Sequence, residues 1–66
     1  MSNDRLYDIV TAIVESADEI KGKAKADAQD YGQLLAYAES LSIIRDVYDG
    51  DLSEIGLNFD IDKRYL

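Results

Sequence analysis

Apolar residues at Leu6, Val10, Ile13, Ala17, Ile20 and Ala24 recur in alternating steps of four and three. At about 100° per residue that spacing stacks them on one face of a helix. An Asn3 or Ser2 cap precedes the stripe, and Asp4 falls in the first turn, where a negative charge suits the positive end of the helix dipole. The pattern predicts a helix over about 4–27. Two stops compete for its end. Gly22 stands among Lys21, Lys23 and Lys25 and can act as a cap. Ala24, Ala26 and Ala28 are strong helix formers and favour continuation to about Asp27.

The next apolar series is Tyr31, Leu34, Leu35, Ala38, Leu41, Ile44 and Tyr48, with Tyr37 beside it. Asp30 and Gln33 stand in capping-box spacing before it and Asp49-Gly50 closes it, so a second helix is expected over about 31–49. A connection of a few residues between two helices forces them antiparallel. Ile43 and Val47 project away from the main face, which leaves the last two turns apolar nearly all round. Tyr7, Ile9 and Val14 widen the first helix's stripe in a milder way. A helix that is apolar on every side needs cover on every side, more than one neighbouring helix supplies.

After Gly50, Asp51 and Glu54 repeat the capping-box spacing and Gly56 offers a stop, so a short helix is expected over about 52–56, bringing Leu52, Ile55 and Leu57. In the tail, 57–66, Phe59 and Ile61 alternate with Asn58, Asp60 and Asp62. This predicts an extended segment, a natural cover for Ile43 and Val47. The expected fold is a single small all-α domain over 1–66: an antiparallel helical hairpin with a short third helix and a C-terminal tail, dimerising into a four-helix bundle.

Length is what makes a dimer part of that expectation. A chain of 66 residues buries only about 60% of the surface its unfolded form exposes. The sequence has no cysteine and no histidine, which removes disulfides and the usual zinc sites as staples. Oligomerisation remains. The interface is expected at Leu41, Ile43, Ile44, Arg45, Val47 and Tyr48. Arg45 projects into the apolar face between Leu41 and Tyr48, where a charge is costly unless paired. An antiparallel hairpin brings Asp8 or Asp4 within its reach, and a partner subunit is the other source of a counter-charge.

Fourteen acidic and seven basic residues give a net charge of −7, which opposes direct contact with nucleic acid or anionic membranes. It favours a basic protein partner instead. The densest acids, Asp46, Asp49, Asp51 and Glu54, form an expected acidic rim. An EF-hand register fails on them: with Gly50 at the sixth loop position, Arg45 and Val47 would fill the first and third and Gly56 the twelfth. Asn58, Asp60 and Asp62 fail in turn, because Lys63 stands where glycine is needed. No metal or other cofactor is expected. No apolar run approaches the roughly 20 residues of a membrane span, and MSNDRLYD lacks the basic and then apolar pattern of a signal region, so a cytoplasmic protein is expected.

Catalysis finds no vocabulary here: there is no histidine, cysteine or glycine-rich phosphate loop, and no serine in a nucleophile setting. The five tyrosines lack the interleaved basic residues of a base-stacking surface and suit core edges or interfaces. The expected function is a small acidic, non-enzymatic protein–protein interaction module, an adaptor or regulator acting as a homo-oligomer. The alternative is an acidic inhibitor, of the kind a phage or mobile element encodes, that occupies a basic nucleic-acid-binding surface on another protein.

Overall fold

The computed structural model describes residues 3–66, excluding the side chain of Asn3. It is helical, with no strand among the described residues: α1 (Asn3–Lys21), α2 (Ala28–Val47), a 3-10 turn (Leu52–Ile55) and α3 (Ile61–Tyr65). The two long helices pack against each other as a hairpin. Leu6 near the start of α1 shares a groove with Val47 and Tyr48 at the end of α2, so the two run antiparallel.

α1 ends at Lys21, not near Asp27. Its last bonds run from the Gly22 N–H to the Asp18 carbonyl at 2.9 Å and from the Lys23 N–H to the Ile20 carbonyl at 3.1 Å. Ala24 therefore falls outside the helix and is exposed. The Ser2 alternative for the opposite end lies outside the described residues.

The stop falls at Gly22, the first of the two candidates, and a strong start signal for the next helix follows it. Asp27, not Asp30, is the N-cap of α2, and α2 begins three residues before the expected Tyr31. The Asp27 carboxylate accepts from the Asp30 N–H at 2.8 Å, and the Asp30 carboxylate accepts from the Asp27 N–H at 3.1 Å. This is a capping box with aspartate in place of the usual glutamate at the third position. Lys23 adds an ion pair to Asp30 at 2.8 Å, which together with the Asp27 N–H holds the Asp30 carboxyl below its ordinary pKa. Two reciprocal bonds and a lysine outweigh the modest helix preference of the alanines between. Asp27→Ala is expected to lower the melting temperature by roughly 4–8 °C. A thermal unfolding curve superimposable on the wild type would show that the box contributes nothing.

α2 buries Leu34, Ala38 and Leu41 and stops at Val47, two residues before the expected end. Tyr48 turns extended, with its N–H still bonded to the Ile44 carbonyl at 2.9 Å. Gly50 serves close approach: a Cβ there would lie 2.8 Å from both the Tyr48 ring and the Glu54 carboxylate. In the 3-10 turn Asp51 caps the Ser53 N–H at 3.0 Å, and Gly56 closes the turn at φ 76°, a left-handed conformation that glycine adopts without strain.

The tail is not extended. Asp60 caps the Lys63 N–H at 3.1 Å and a single helical turn follows, burying Ile61 and Tyr65, which stand four residues apart on one face. The core is thus shared by the whole chain. Val10, Ala17 and Ile20 come from α1; Ile55, Leu57, Ile61 and Tyr65 come from the C-terminal stretch. The 3-10 turn rests on α1, and α3 rests on α2. Neither covers Ile43 or Val47.

Candidate functional site

Because the C-terminal stretch packs elsewhere, the outer side of α2 stays open. Ile43 is 63% exposed and Val47 77%. With Leu6, Ile44, Tyr48 and Asp49 they line an apolar groove of about 330 Å³ at the open end of the hairpin. α2 sets two of its walls: Ile44 lies on the side turned to the core, Ile43 and Val47 on the side turned to solvent. Tyr48 is held in place by its hydroxyl, which donates to a Glu54 carboxylate oxygen at 2.9 Å. That bond, with some desolvation and the acids nearby, raises the phenol above its ordinary pKa.

Of the residues expected at an interface, Ile43, Ile44, Val47 and Tyr48 meet in this groove. Leu41 does not, being fully buried inside the chain's own core. Arg45 is half-buried, and its Nε bonds to Asp46 at 3.2 Å. That contact replaces the expected one with Asp8 or Asp4. The guanidinium reaches solvent along its own apolar stem, so it needs no counter-charge from across the hairpin. Tyr31 and Leu35, expected on the main face of α2, are 64% and 45% exposed.

The acidic rim is partly engaged within the chain. Asp46 takes Arg45, Asp51 takes the N–H and hydroxyl of Ser53, and Glu54 takes Tyr48. The N–H and hydroxyl of Ser53 lower the Asp51 carboxyl below its ordinary pKa. Among the described residues, no group of three or more acids is gathered as metal ligands would be. No helix among them is long and apolar enough to cross a membrane.

A second cluster was hidden from the sequence. Asp18 on α1 accepts from Arg64 at 3.2 Å (Nε) and 2.7 Å (Nη2), and from the Tyr65 hydroxyl at 2.8 Å. The Arg64 guanidinium lies 4.8 Å from the Phe59 ring centroid, within cation–π range. The bonds from Arg64, with a further one from Tyr65, hold the Asp18 carboxyl below its ordinary pKa despite some desolvation. Burial, then the bond to Asp18, pushes the Tyr65 phenol up to about 12. These residues stand 46 and 47 positions apart, beyond any local spacing signal. A shallower cleft beside the cluster, about 240 Å³, is lined in part by Tyr7, Val14, Phe59 and Arg64. The cluster's partners are all satisfied by one another, which makes it a clamp for α3.

An apolar groove with one carboxylate at its edge binds by burial and shape and offers no activated nucleophile. Compared with protein families, curated proteins and solved structures, the chain matches none.

Proposed function

We propose that this chain is a small non-enzymatic interaction module that works as a homo-oligomer, most simply two hairpins joined through α2 into a four-helix assembly. One observation carries the reading: α2 exposes Ile43 and Val47 over an apolar groove that no other part of the described chain covers. Exposed apolar side chains gathered over a groove, with polar residues at the rim, mark interaction surfaces on small proteins. The acidic decoy is the weaker reading, since three of the four rim acids, Asp46, Asp51 and Glu54, already hold partners within the chain.

The test is sedimentation velocity on the full chain at micromolar concentration. The wild type is expected to sediment as a dimer, and Val47→Asp as a folded monomer, because a carboxylate would have to be desolvated in the interface. A monomeric wild type, or a Val47→Asp variant that remains dimeric, overturns the proposal.

A further inference from the structure

The shallower cleft, between α1 and the C-terminal stretch, shares no lining residue with the α2 groove. Its walls are largely apolar: Tyr7, Val10 and Val14 come from α1 and Phe59 from the C-terminal stretch. A Cβ at Gly56 would lie 3.4 Å from the Tyr7 ring, so the turn after Ile55 closes in against that ring. Tyr7 is nonetheless 46% exposed, and Phe59 is half-buried. Two aromatic rings thus border one cleft.

The charge beside it is of one sign. At about 100° per residue, Asp4, Asp8 and Glu15 fall within about 40° of one another around α1, in one row with Thr11, which lines the cleft. Glu15 lines it as well. All three acids are exposed, and the ion pairs among the described residues involve none of them. The cations nearby do not offset them. Arg64 reaches the cleft, but it donates to Asp18 at 3.2 and 2.7 Å. Arg5 projects about 160° around α1 from Tyr7, and from Leu6 to Ile20 α1 has no basic residue.

We infer that this cleft docks a basic segment of another protein, one that sets an apolar or aromatic side chain between lysines or arginines. The anchor packs among Tyr7, Val14 and Phe59, where an aromatic ring buries most area for least ordering. Its flanking cations meet Asp8 and Glu15 at the rim and can lie over the exposed Tyr7 ring. An acidic segment or a nucleic acid would meet a row of carboxylates instead. The site goes beyond the homo-oligomeric reading above and uses a different surface, so the two stand or fall separately.

The probe is a fluorescein-labelled peptide with one phenylalanine flanked on each side by lysines, titrated with the full chain by fluorescence anisotropy at about 0.15 M salt. It is expected to bind. The same peptide with alanine for phenylalanine is expected to bind roughly tenfold more weakly, and the one with glutamates for lysines not at all. Glu15→Lys, on an exposed helix surface, is expected to fold normally and to weaken binding roughly tenfold. Glu39→Lys makes the same charge change on the exposed side of α2 and is expected to leave affinity within about twofold. Tyr7→Ala is expected to lose roughly tenfold with its circular dichroism spectrum unchanged. No binding by the lysine and phenylalanine peptide, or equal binding by its alanine form, overturns the proposal. So does an equal loss in Glu15→Lys and Glu39→Lys, which would mean attraction by net charge alone. Self-association is read separately by sedimentation.

Discussion

Tyr65→Ala is expected to leave the chain largely unfolded at 37 °C, although the substitution lies one residue from the end of the described chain. Tyr65 is among the largest fully buried side chains, and removing a buried aromatic costs about 3–5 kcal/mol. A native protein of 66 residues has roughly 3–10 kcal/mol in all, at about 0.05–0.15 kcal/mol per residue. The loss also strips Asp18 of one of its hydrogen bonds and leaves Arg64 alone to tie α3 to α1. Urea titration followed by circular dichroism measures it. A midpoint within experimental error of the wild type would show that α3 is an appendage and not part of the core.

Tyr65→Phe separates the ring from its hydroxyl, and pH reads the difference. The folded phenol titrates at about 12, above the roughly 10 of an unfolded tyrosine. The unfolded chain therefore loses its proton first. The stabilisation is fully present below pH 10 and is lost as the pH rises from about 10 to about 12, an effect on the order of 2–3 kcal/mol at about 1.36 kcal/mol per pKa unit. Asp18 works in the opposite direction: its folded pKa is lowered, so its contribution is present above the unfolded value near 4 and is lost as the pH falls through the folded one. Tyr65→Phe should reduce the alkaline loss to the part carried by Tyr48 and Lys23, whose folded pKa values are also raised, and keep most of the acid one, since Arg64 is the main cause of the lowered Asp18 carboxyl.

The hairpin was legible in the sequence because it rests on local period. Val10, Ala17 and Ile20 in α1, and Leu34, Ala38 and Leu41 in α2, are buried where a helical face places them. Boundaries were less legible because two aspartates compete for the same role. Asp27 and Asp30 each look like an N-cap, and only the reciprocal bonds show that the second serves as the third helical residue of the first. The tail misled for a related reason. Phe59 and Ile61 alternate with polar residues as a strand does, but Asp60 is a cap, and Ile61 with Tyr65 carries helical spacing in a segment of one turn.

The groove was half legible. Periodicity shows that Ile43 and Val47 point away from the core of α2, which is a local statement. What covers them is a non-local one, and the tail that seemed available was drawn instead to Asp18 by Arg64 and Tyr65. No spacing rule connects residues so far apart in the chain.

The sharpest separation of core from exposed surface is a pair of substitutions two positions apart on α2. Leu41→Asp is expected to abolish cooperative folding. Truncating a buried leucine costs about 2–5 kcal/mol, and a carboxylate in its place meets a core that offers no polar partner, since no polar residue is buried among those described. Ile43→Asp is expected to fold with a denaturation midpoint close to the wild-type monomer's, because its side chain stands in solvent, and to lose self-association as Val47→Asp does. Circular dichroism during urea titration reads the first difference and sedimentation reads the second. If Ile43→Asp unfolded the chain as Leu41→Asp does, folding and assembly would be one event, and the outer side of α2 would be as much core in the assembled protein as the inner side is in the single chain. If instead both variants folded, the burial of Leu41 would contribute nothing and the hairpin would not be what holds the chain together.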